Sequence, residues 1–115
     1  MDSKKIDNWK IFNLIDIRIG SILKAIKFIE AKKPAYKLII DFGSLGILNS
    51  SAQITELYSI EELIGKDVVA VINIGNKKIH KFTSECLVLG VSGIKGISLI
   101  KSSQKIESGS SVFID

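Results

Sequence analysis

The chain is short of several residue types: its 115 residues include one cysteine, one proline, one tryptophan and one histidine. Each scarcity excludes something. A lone thiol, Cys86, can close no intrachain disulfide and suits a reducing compartment. It opens an apolar stretch, so a buried core thiol is expected rather than a nucleophile. With Pro34 the only proline, there is no proline-rich linker. His80 has no Cys, Asp or Glu at ligand spacing, so no metal is expected. His80 and Cys86, six positions apart across a turn, do not by themselves make a catalytic dyad. The glycines at 43, 46, 90, 93 and 96 form no phosphate loop followed by Lys-Ser/Thr. No apolar run approaches the roughly 20 residues of a spanning helix, and MDSKKIDNWK has no apolar core of the signal-peptide kind. The expectation is a cytoplasmic protein without membrane insertion, cofactor or catalytic residue, and not an enzyme.

What is present is apolar and basic. Hydrophobic residues make up 46% and charged ones 24%, the balance of one soluble domain with a real core. The net charge of +4 is moderate, but its distribution is uneven. Lys24, Lys27, Lys32, Lys33 and Lys37 form one cluster, Lys77, Lys78 and Lys81 a second, and Lys95, Lys101 and Lys105 a third. Acidic residues gather instead at Glu56, Glu61, Glu62 and Asp67. A fold that joined the first two basic clusters would present one face suited to an anionic partner.

Periodicity points to short strands. DIRIGSILKAIKF alternates with a slip at Gly20–Ser21, which predicts a bulge or sharp bend there. AYKLIIDFG, LGILNSSAQI and DVVAVINI read as further strands, the last apolar on both faces. ECLVLGV and ISLIK continue the set, and SSVFID can add a short final strand. Two stretches read as helix. In SIEELIG, Ser59 and Glu62 stand at capping-box spacing and Gly65 is a stop. In IDNWKIFNLI, Ile6, Trp9, Phe12 and Leu14 fall near a helical stripe, with Asp7 or Asn8 as cap. Bent strands, one helix after the third strand and no βαβ alternation predict a mainly β fold, a five-stranded OB-type barrel.

DIRIGSI at 16–22, ELIGKDVVAVINI at 62–74, KKI at 77–79 and SECLVLGV at 84–91 together resemble the motifs of the tRNA-binding domain family. EAKKPAYKLIIDFG and SSAQITELYSIEELIG resemble in particular its bacterial CsaA subgroup of export-related chaperones. The resemblance spans nearly the whole chain and implies an OB barrel over residues 15–101, with an N-terminal extension over 1–14 and a C-terminal one over 102–115. It also implies a homodimer joined through those extensions, with Trp9, Phe12, Val112 and Phe113 at the interface; composition alone would let them cover the barrel ends of one chain. The family's nucleic-acid-binding positions fall on Asn73, Lys77, Lys78, Ser84 and Glu85, with Lys81 nearby. Asn76 replaces the family's proline before the basic pair, and Lys81 replaces a family glycine.

The stretch NIGNKKIHKFTSE, read as a connection between two apolar runs, thus has two readings. It can be an ordinary solvated loop, or a surface where lysines neutralise phosphates and Asn and Ser bond to bases or sugars. Two functions of different class follow. One is a dimeric chaperone for unfolded or pre-export polypeptides; the other is a module that recognises tRNA or tRNA-like RNA by its structure.

Overall fold

The computed structural model describes residues 8–113; the expected cap Asp7 and the stripe residue Ile6 lie outside them. The elements run α1 (Asn8–Phe12), β1 (Ile17–Lys27), β2 (Tyr36–Asp41), β3 (Ile47–Ala52), α2 (Ile60–Leu63), β4 (Asp67–Val71), β5 (Lys77–Ile79), β6 (Phe82–Ser84), β7 (Leu87–Val88), β8 (Gly90–Ser92) and β9 (Ile97–Leu99). A five-stranded antiparallel sheet in the order β3-β2-β1-β4-β7 curls into an OB-type barrel.

β1 makes the barrel possible. Its eleven residues serve two partners, β4 through Ile17–Ser21 and β2 through Ser21–Lys27. Changing partner along one strand needs a bend, and the register shifts between Ile22 and Lys24. The bulge therefore lies at Leu23 rather than at Gly20–Ser21. Gly20 has another reason for being glycine: a Cβ there would stand 2.6 Å from both Ile40 Cγ2 and Phe42 Cε1. The strand's smallest residue sits where the core comes closest.

β2 alternates buried and half-buried residues along YKLIID, and Leu38, Ile40 and Phe42 join Ile22, Leu63 and Val68 in a fully buried core. Burying each such side chain stabilises the fold by about 1.5–3 kcal/mol. α2 contributes Leu63 and starts as its sequence predicts, with Ser59 Oγ accepting from the Glu62 N–H and the Glu62 carboxylate accepting from the Ser59 N–H. Those bonds hold the Glu62 carboxyl below its ordinary pKa, the Ser59 backbone N–H being the chief cause.

The C-terminal segment runs beside the first half of β1. Gly109 N–H donates to Ile19 O at 2.7 Å, Ile19 N–H to Ser110 O at 2.9 Å, and Val112 N–H to Ile17 O at 2.9 Å. Arg18 fastens it, donating from Nη1 to Gly109 O while its Nε meets Asp16 Oδ1 at 2.6 Å.

Candidate nucleic-acid interface

Residues 77–84, part of the stretch read as a connection, form a ribbon. β5 and β6 pair Lys77 with Ser84, Lys78 with Thr83 and Ile79 with Phe82, leaving a two-residue turn at His80–Lys81. His80 takes the left-handed conformation the turn needs, at φ 55°, so Lys81 sits where no glycine is required. Strand alternation sends Lys77, Ile79, Phe82 and Ser84 to one face and Lys78 and Thr83 to the other. On the first face Ser84 is buried and Ile79 and Phe82 are half-buried, while Lys77 is exposed; on the other, Lys78 is exposed and Thr83 half-buried.

Phe82 docks the ribbon. Its ring meets buried Phe28 edge-to-face with centroids 5.5 Å apart, a geometry that aromatic quadrupoles favour. Lys37 Nζ lies 4.8 Å from the Phe28 centroid and 5.5 Å from that of Phe82, a distance at which aromatic rings attract an ammonium. The result is a cleft of about 330 Å³ lined by Phe28, Glu30, Lys37, His80, Lys81 and Phe82. One lysine of each of the first two clusters, Lys37 and Lys81, some forty positions apart in sequence, lines this cleft.

The six predicted contact residues are not gathered in one place. Lys77, Lys78 and Lys81 are exposed on the ribbon. Asn73 lies elsewhere and its side chain is occupied: Oδ1 accepts from the Asp16 N–H at 2.8 Å and Nδ2 donates to Leu14 O at 2.7 Å, tying β4 to the segment entering β1. Ser84 and Glu85 close the barrel. Ser84 Oγ accepts from the Ser51 N–H at 3.0 Å; Glu85 gives its own N–H to Asn49 O and takes the Asn49 N–H on Oε1, at 2.7 and 2.8 Å. Ser50 Oγ completes this clasp by donating to Cys86 O at 2.9 Å. Burial pushes the Cys86 thiol up to about 11, so it stays protonated and unreactive at neutral pH.

Phe28 and Phe82 were not singled out from sequence. The available signal was an aromatic residue interleaved with lysines and a serine in KKIHKFTS, a pattern that suits stacking beside phosphate contacts. Among the described residues, no group of three or more His, Cys, Asp or Glu could hold a metal, and no helix is long and apolar enough to cross a membrane.

At the other end of β1, the two extensions meet. Phe12, Asn73, Arg18, Val112 and Phe113 border a shallow depression of about 440 Å³. Trp9 is 64% and Phe113 65% exposed, and α1 buries none of its residues.

A strand-built barrel carrying a basic, aromatic-floored cleft is the architecture of an oligonucleotide-binding module, and residues 17–111 match the family described as "Putative tRNA binding domain". The chain belongs to that family. Two solved structures are similar over nearly their whole length. The chaperone CsaA of Bacillus anthracis str. Ames is 41% identical, with 94% of this chain and 99% of that one covered at a TM-score of 0.87. The CsaA chaperone protein of Picrophilus torridus is 44% identical, with 94% and 100% covered at 0.88. The methionine–tRNA ligase of Methanococcus vannielii is 30% identical over 105 residues, which are 88% of this chain and only 15% of the ligase.

Proposed function

We propose that this protein is a non-catalytic, cytoplasmic binding module that takes tRNA or tRNA-like RNA on the face formed by the β5–β6 ribbon and the β1–β2 turn. The observation that carries this reading is the cleft lined by Lys37 and Lys81 together with the Phe28–Phe82 pair. Exposed lysines neutralise phosphates, and a half-exposed ring beside them offers a surface for an unpaired base. Contacts come from Lys77, Lys78 and Lys81, joined by Lys37. Asn73, Ser84 and Glu85 support the reading less directly, by shaping the scaffold that presents the ribbon. The test is a titration with bulk tRNA across a salt series. Changing Lys77 and Lys78 together to Ala lowers affinity and reduces the log–log salt slope by roughly 1.4–1.8, at about 0.7–0.9 for each phosphate left without its lysine. An unchanged slope makes the ribbon an ordinary solvated surface.

A second reading is favoured by different observations: the exposed aromatic residues on the two extensions and the similarity to the two CsaA chaperone structures. On that reading the chain forms a homodimer through Trp9, Phe12, Val112 and Phe113 and holds unfolded or pre-export polypeptides. The two readings use different surfaces and are compatible. Suppression of aggregation of a denatured test protein is the assay for the second.

A further inference from the structure

The basic cleft holds one residue of the opposite sign. Glu30, on the β1–β2 turn, lines it together with Phe28, Lys37, His80, Lys81 and Phe82, and it is the only acidic side chain of that lining. It is exposed, and among the described residues it forms no ion pair. A cleft built for phosphate alone would keep a carboxylate away, because like charges repel over a few ångströms. The phosphate positions therefore belong to the exposed ribbon lysines, Lys77 and Lys78. The cleft itself suits a group that satisfies an anion and a cation at once.

The edge of a nucleobase is such a group. At about 330 Å³ the cleft is at the small end of ligand pockets, roughly 300–1,000 Å³, with room for one base and not for a duplex. Half-buried Phe82 gives that base a surface to lie on. A carboxylate only accepts hydrogen bonds, and the ammonium of a lysine only donates them. Guanine alone carries two adjacent donors, N1–H and the N2 amino group, which match the two oxygens of a carboxylate. It also carries the acceptors O6 and N7, which suit a lysine. Cytosine and adenine each offer one amino group. Uracil offers a single N–H flanked by two carbonyls, which a carboxylate repels.

We propose that Glu30 makes the cleft selective for an unpaired guanine. Its carboxylate accepts from N1–H and the N2 amino group, Lys37 or Lys81 donates to O6 or N7, and the ribbon lysines take the flanking phosphates. The inference rests on the RNA-binding reading and gives that site a base preference. It also explains an acid where attraction of phosphate would place none: Glu30 weakens the hold on RNA in general and returns more than that loss for one base, so specificity gains from both effects. Within a helix this edge of guanine is taken by its pairing partner, so the cleft requires guanine in a loop, a bulge or an end.

The experiment follows the fluorescence anisotropy of labelled RNA pentanucleotides with the full chain at low salt: UUGUU, UUIUU with inosine for guanosine, and UUUUU. The guanosine strand binds at least about five-fold more tightly than the uridine strand, the low end of what a bidentate side-chain–base pair contributes to discrimination. Inosine, which lacks the N2 amino group, falls between them. Glu30→Ala brings the three affinities within about two-fold of one another. Glu61→Ala, the same change of charge on α2 outside the cleft lining, keeps the preference. The readout is a ratio, so the general gain from removing a negative charge cancels. Circular dichroism shows that both variants fold. Guanosine bound no better than uridine or inosine by the unaltered chain, a preference that survives Glu30→Ala, or one that Glu61→Ala also abolishes overturns the proposal. If bulk tRNA still binds with a salt slope that falls when Lys77 and Lys78 are changed, the RNA-binding reading stands without the guanine preference. Absence of binding to tRNA and pentanucleotides alike ends both.

Discussion

Glu85 and Asn49 form a closed ring, each supplying what the other's backbone needs. Ser84 adds a bond to Ser51 one step along the same edge. Side chains here stand in for a ladder that the barrel's two edge strands do not make. Removing one leaves a part-buried N–H without its acceptor, which costs about 1–3 kcal/mol. Glu85→Ala is therefore expected to lower unfolding stability in urea by about that amount while tRNA affinity, measured where the variant is folded, stays put. A weaker affinity at unchanged stability would return Glu85 to the RNA surface. SECLVLGV displays a polar pair before an apolar strand, but whether such a pair faces outward or closes a seam depends on β3, more than thirty positions earlier. Periodicity within one segment carries no information about that distance.

At the scale of elements, β1 was legible as a strand because its alternation runs long, and the Ser59–Glu62 cap was legible because capping is local. The site of the bend was not. A glycine at a slip in the pattern suggests a bulge, yet Gly20 answers to Ile40 and Phe42 packing onto it, and the bulge follows at Leu23. Gly20→Ala tests the assignment: the added methyl overpacks the core and is expected to cost about 1–3 kcal/mol, read as a lower thermal midpoint. A tolerated alanine would mean that the core relaxes around it. The β5–β6 ribbon escaped the sequence reading for a different reason. Strands of three residues are too short for alternation to stand out from a polar connection, and this ribbon is held by Phe82 against Phe28, a contact across fifty-odd positions.

For the whole molecule, the extensions matter most. Two aromatic residues about two-thirds exposed, at opposite ends of the chain, give the apolar surface on which the proposed homodimer rests. Trp9→Ser combined with Phe113→Ser is expected to convert a dimer to a monomer in sedimentation at micromolar concentration, with the barrel's circular dichroism unchanged. A mass that does not move would place the interface elsewhere. The sequence by itself determined the barrel class, the capped helix, the buried thiol and the sign of the surface charge, because each follows from local patterning or composition. Only the tertiary structure decided which lysines share a cleft, which polar residues are turned inward, and where the barrel stays unladdered. Those are relations between segments brought together by burying one common core, and a linear pattern does not encode the distance between them.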